Sequence, residues 1–206
     1  MRPSAWLDRL FGGRRWDEVV IWALDLETTG LHPDRDEILS VGMVPIREGV
    51  IRYGERYSSF VRPPARADLS TEGIRAHHLL PADYADAPPV EAVVPEIEHR
   101  LRDGALLVHY AQLDVAFLKT AFKRTGRAWP DPEVLDTVEL LLKQHHRQHR
   151  FSPHPPQART GLSEARASAG LPAYPSHDAL SDALATAELF LLLRSRLGLC
   201  TLRALR

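Results

Sequence analysis

Cysteine is almost missing from this chain. Cys200 is the only one in 206 residues, so no disulfide can close within the chain and a reducing compartment is expected. Long apolar runs are missing too. None approaches the ~20 residues of a membrane helix. Met1 to Asp17 carries Arg2, Arg9, Arg14 and Arg15 among short apolar pieces and lacks the continuous apolar core of a secretory signal. The expected location is therefore cytoplasmic. Excess charge is also lacking: 26 Lys and Arg face 27 Asp and Glu, for a net charge of -1. That balance argues against a surface coated in basic residues to grip long duplexes. It leaves room for an enzyme that holds only the end of a strand. No internal repeat and no linker divides the chain.

What the chain does have is an apolar run that ends in acids. Val19-Val20-Ile21-Trp22-Ala23-Leu24 is rich in β-branched residues and reads as a strand buried on both faces. Asp25 and Glu27 follow two residues apart, so on a strand they project side by side. Like charges that close are unfavourable at the end of a core strand unless protons or metal ions compensate them. The alternative is a strand end whose acids face water. Thr28-Thr29-Gly30 ends the strand, with Gly30 expected to supply the turn.

The remaining pattern is α/β. Glu37 to Arg47 and Val50 to Val61 read as two more strands joined by short turns, an antiparallel meander. Ser70 to Leu80 reads as a short helix and Pro88 to Asp103 as a clearer one. Then strand and helix alternate: Ala105 to Tyr110, Leu113 to Thr125, Val134-Leu135, Thr137 to His146. That order implies parallel pairing through crossovers. The His-, Pro- and Arg-rich stretch 144–159 reads as a loop. A helix near Leu162 to Ala169 and a last amphipathic helix from about Asp178 to Arg196 complete the pattern.

Two further acids fall on apolar helix stripes. Asp114 shares a face with Phe117, Leu118, Ala121 and Phe122, and Asp182 shares one with Ala185, Thr186, Leu189 and Leu193. An acid in a first turn is favoured by the helix dipole, which suffices as a structural explanation of Asp114 alone. His177 lies just before the last helix. Parallel units gather strand ends and helix starts along one edge of the sheet, and carboxylate oxygens are the hard ligands that Mg²⁺ and Mn²⁺ prefer.

Three motifs resemble one family. Leu24-Asp25-Leu26-Glu27-Thr28-Thr29-Gly30-Leu31, His109-Tyr110-Ala111-Gln112-Leu113-Asp114 and His177-Asp178-Ala179-Leu180-Ser181-Asp182-Ala183 resemble, in order, those of the DEDD exonucleases. The likeness is to the branch that uses histidine, which includes polymerase proofreading subunits and ribonuclease T. It takes in His77 and Asp136-Thr137 as well. The second motif departs from the usual His-Asn-Ala-x-Phe-Asp, with Tyr110 for Asn and Leu113 for Phe.

The resemblance implies a ribonuclease H-like fold, a five-stranded mixed sheet flanked by helices. It divides the chain into an N-terminal extension (1–18), a 3′-5′ exonuclease domain (19–197) and a C-terminal tail (198–206). Asp25, Glu27, Asp114 and Asp182 would bind two divalent metal ions, Mg²⁺ or Mn²⁺, and His177 would be the general base. Thr28, Thr29, Leu31 and His109 would contact the terminal nucleotide. The partner would be the 3′ end of a single strand, taken to be DNA; association with a polymerase stays open, without an evident tether. The same chemistry on RNA and an inactive binding module are the two alternatives.

Overall fold

The computed structural model describes residues 13–65, 79–174 and 177–206. Strands β1 (Ile21–Thr28), β2 (Ile38–Arg47), β3 (Val50–Ile51), β4 (Tyr57–Phe60), β5 (Ala105–Val108) and β6 (Glu133–Asp136) form one mixed sheet. Its order is β3-β2-β1-β5-β6, with β4 also paired to β2. β1 runs antiparallel to β2 and parallel to β5, which is parallel to β6. The helices among the described residues are α1 (Pro81–Tyr84), α2 (Val90–Leu101), α3 (Ala111–Arg124), α4 (Thr137–Gln148), α5 (Leu162–Ala169), α6 (Ala179–Leu197) and α7 (Leu202–Leu205).

The alternation along β1 sorts the core into two halves. Trp22 and Leu24 face Val94, Ile97, Leu101, Phe117 and Phe122, under α2 and α3. Ile21 and Ala23 face Ala187, Leu189, Phe190 and Leu193 of α6. Burying side chains such as Phe122 and Phe190 stabilises by ~1.5–3 kcal/mol each. The residues on the stripes of α3 and α6 are buried as their spacing predicts.

Several expectations change. The third strand of the expected five is broken in two, giving six, because Tyr53–Glu55 coils into a single 3₁₀ turn between two pieces that each pair with β2. The helix at the start of the 144–159 stretch continues to Gln148, carried by Leu140 and Leu141 packing into the core. The expected Ser70–Leu80 helix and His77 lie largely outside the described residues. The tail expected at 198–206 is folded: Leu202 and Leu205 are buried, and the Leu202 N–H donates to the Arg14 carbonyl at 3.0 Å. From the expected N-terminal extension, Trp16 is buried edge-on against Phe190, with ring centroids 5.9 Å apart. Among the described residues no helix is long and apolar enough to cross a membrane.

Candidate active site

β1 delivers Asp25 and Glu27 on the face that α6 covers. Opposite Asp25 in the register stands Gly42 on β2, and opposite Glu27 stands Ser40. A Cβ on Gly42 would lie 2.3 Å from the Ala179 carbonyl, so only glycine lets the first turn of α6 rest directly on the sheet. A register shift between Glu27 and Thr28 leaves Leu39 of β2 without a partner there, a bulge of the kind that re-aims side chains beside active sites. Asp178 caps α6 by accepting from the Ser181 N–H at 2.9 Å.

Asp182 therefore comes down on the β1 pair. One carboxylate oxygen from each of Asp25, Glu27 and Asp182 lies within 4.8 Å of the other two. Asp114 is outside that triplet but close enough for its charge to raise Asp25. It is buried in the first turn of α3.

The crowding is electrostatically unfavourable without cations. Burial and the neighbouring acids hold Asp25 well above the usual carboxylate range. Burial, then the charges of Asp182 and Asp178, push Glu27 up to about 8. Burial and Asp136 push Asp114 to about 8. Asp182 is raised mainly by burial. A cluster of oxygen donors whose members disfavour one another's charge suits hard divalent cations.

The other expected residues are placed unequally. His177 is exposed, at φ 68°, and its backbone N–H donates to Asp182 Oδ2 at 3.0 Å. Leu31 projects into solvent at 70% exposure. Thr28 donates to the Gly30 carbonyl at 2.6 Å. Thr29 is buried, and its hydroxyl accepts from the Glu37 N–H at 3.0 Å, so it works inside the β1–β2 turn. Gly30 is not at positive φ; its need is room, since a Cβ there would lie 2.5 Å from the Asp36 carboxylate. His109 is half-buried, its Nδ1 is 2.7 Å from Thr137 Oγ1, and burial lowers its pKa.

Some contributors had no role assigned from the sequence. Asp136 accepts from the N–H groups of Tyr110 (3.2 Å), Ala111 (2.9 Å) and Val138 (2.9 Å), joining the starts of α3 and α4. It holds Tyr110 at φ 69°, the left-handed conformation that Asn tolerates better. Arg166, 3% exposed, donates to Ala185 O (2.7 Å), Pro172 O (2.9 Å) and Glu188 Oε2 (2.8 Å), and its guanidinium lies 4.7 Å from the Tyr174 ring centroid. Tyr174 in turn donates to Glu188 Oε1 at 2.9 Å. This network pins the segment leading toward His177 onto α6. An Asp one residue past the motif histidine was the available signal for the cap; nothing in the sequence distinguished Arg166 from a surface arginine.

The exonuclease family that includes ribonuclease T matches residues 22–190. The chain belongs to that family. A Mycobacterium tuberculosis (strain CDC 1551 / Oshkosh) protein named as a bifunctional exonuclease/endonuclease is 29% identical over 187 residues, covering 88% of this chain and 27% of that protein. The PolC-type DNA polymerase III of Staphylococcus aureus is 28% identical over 169 residues, covering 81% of this chain and 11% of the polymerase. The chain thus spans about a quarter or less of either relative. Among solved structures, a zinc-bound E. coli exonuclease I complex with single-stranded DNA superposes with TM-score 0.75 at 18% identity, over 87% of this chain and 41% of that one. The fold is therefore ribonuclease H-like, and the exonuclease family implies dependence on divalent metal.

Proposed function

We propose that the protein hydrolyses phosphodiester bonds at the 3′ end of single-stranded DNA. The observation that carries this is the convergence of Asp25, Glu27 and Asp182, with Asp114 beside them, at the carboxyl end of β1. Those four acids would hold two divalent ions, Mg²⁺ or Mn²⁺, which would supply charge stabilisation for an in-line displacement at phosphorus. His177, exposed and next to Asp182 in space, takes a proton from the attacking water. Its type suits that role because an unperturbed imidazole titrates at ~6.5. The water oxygen bonds to phosphorus, the bond to the 3′ oxygen breaks, and a nucleoside monophosphate leaves. Leu31, exposed at the end of the β1 turn, packs against the terminal base, with Thr28 and His109 beside it, while Thr29 shapes the turn. That the exonuclease I neighbour is complexed with single-stranded DNA supports this substrate. The lone cysteine fits a cytoplasmic setting.

The test is degradation of end-labelled DNA and RNA 20-mers with Mn²⁺ or with excess EDTA. A 3′-terminal block should stop release of nucleotides and a 5′ block should not. Undiminished hydrolysis in EDTA, or cleavage of a closed circular strand at a similar rate, would refute the reading. Faster loss of the RNA would move the substrate to RNA.

A further inference from the structure

Charge balance over the whole chain hides one strongly polarised segment. From Leu140 to Ser163 there is no Asp or Glu, although the chain holds 27; the segment carries Lys143, Arg147, Arg150, Arg159 and four histidines. Two of its cations are used internally, Lys143 on the Ala204 carbonyl and Arg147 on the Leu197 carbonyl, where they tie α4 to the end of the fold. The outer two present themselves to solvent. Arg159 keeps a side-chain exposure of 69%, its 3.4 Å approach to Glu164 being a weak surface pair. Arg150 lies 5.5 Å from the centroid of the Phe151 ring.

Phe151 is 91% exposed, just past the far end of α4 in its connection to α5. A phenyl ring left in water forgoes ~1.5–3 kcal/mol of burial, and this one has the Arg150 guanidinium beside it. The segment is also joined to the acid site at both ends. α4 starts from Asp136, which holds the turn before Asp114, and its twelve residues carry the chain ~18 Å away. The return ends at Thr160, whose hydroxyl shares a 2.7 Å hydrogen bond with Tyr110, the half-exposed residue that opens α3.

We propose that this connection is a track for the single strand upstream of the nucleotide being removed, with Arg150 and Arg159 on phosphates and Phe151 stacked on a base. The inference rests on the nuclease reading above and adds the surface that holds the rest of the substrate. Phosphates near four clustered acids are repelled; an acid-free, basic segment fastened at both ends beside those acids offsets that repulsion. Cations interleaved with an exposed aromatic are what a sequence-tolerant strand requires, and arginine beside the ring adds cation–π attraction.

The test compares wild type with Arg150→Gln/Phe151→Ala and with Arg159→Gln on a 20-mer oligothymidylate and on a thymidine dinucleotide, in Mn²⁺. A stacked base contributes ~1–3 kcal/mol, so KM for the 20-mer should rise about 10-fold or more in the double variant, with kcat unchanged. The dinucleotide, too short to reach the far end of α4, should be hydrolysed within about twofold of wild type. Each variant neutralises one arginine and should also reduce the slope of log binding constant against log salt for the 20-mer by ~0.7, the value of one phosphate contact on a single strand. Equal losses on both substrates, or a 20-mer KM within twofold of wild type, would overturn the track. If wild type hydrolyses neither substrate, the nuclease reading falls. Fluorescence anisotropy of a labelled 20-mer then decides the track separately: weaker binding in the double variant supports it, and unchanged binding refutes it.

Discussion

Two groups of charge are buried along α6, and they are assembled on opposite terms. Around Glu188, each charge has an opposite partner: Arg166 fills three acceptors, and Tyr174 supplies Glu188 with a second donor. Around Asp182, two turns nearer the start of the same helix, Asp25, Glu27 and Asp114 bring more of the same sign. Both groups stand between α6 and its surroundings, but only the first fastens the helix. The second is incomplete as protein chemistry. Its members rise toward neutrality because burial and one another disfavour the ions, and a cation would reverse that. Structural charge is closed, whereas functional charge is left for something else to close.

Removing a member should therefore have opposite consequences in the two places. The largest effect is expected for Asp25→Asn, which removes a ligand but also a repulsion. Nuclease activity should fall by on the order of 10³-fold or more, since such a charge interaction is worth several kcal/mol, while the melting temperature of the metal-free protein holds or rises. The wild-type protein should show the same repulsion as pH dependence. Its site acids have folded pKa values raised above their unfolded ones, Glu27 and Asp114 to about 8. Their contribution to stability is thus fully present below the ordinary carboxylate range and lost as pH rises through about 8. Calorimetric scans in EDTA from pH 4.5 to 8.5 should show melting temperature falling with pH, less steeply in Asp25→Asn. A variant that is both inactive and less stable at pH 8 would break the contrast.

His177→Ala comes next. Losing a general base typically costs 10²–10⁴-fold, and Mn²⁺ affinity by titration calorimetry should stay near wild type because all four acids remain. Lost affinity would make His177 a ligand or a support. At the closed group, Arg166→Ala should destabilise by ~3–5 kcal/mol through the uncompensated Glu188. At ~2–4 °C per kcal/mol for a chain this size, thermal scans should show a fall of roughly 6–20 °C. A change within 2 °C would mean that Glu188 finds other partners.

The sequence made these two groups unequally legible. Asp25 and Glu27 interrupt a buried strand, and Asp114 and Asp182 sit on stripes whose period announces a helix face, so local spacing alone drew attention to them. Arg166 lies in a short helix of weak pattern, and its partners come from Pro172, Ala185 and Glu188, pairings that only the folded chain creates. Thr29 shows the same limit: local spacing places its hydroxyl beside the acids, but its hydrogen bond from the Glu37 N–H is made only when the chain returns. The division of the third strand was hidden because Val50 to Val61 alternates well enough for one strand, and only pairing with β2 shows that Tyr53–Glu55 leaves the sheet. The fold of residues 198–206 was hidden likewise, since it depends on Arg14 and Trp16 at the far end of the chain.

Gly42 sets a dimension that none of the acids controls. It pairs with Asp25 across the β1–β2 ladder and underlies Ala179, three residues before Asp182. The gap between motifs from opposite ends of the sequence is thus gauged by a hydrogen atom where every other residue has a carbon. A methyl group at this position would act as a shim, lifting one wall of the site while leaving every acid in the sequence. The position in β2 with the least chemistry is in this sense the spacer to which the clearances between the acids are cut.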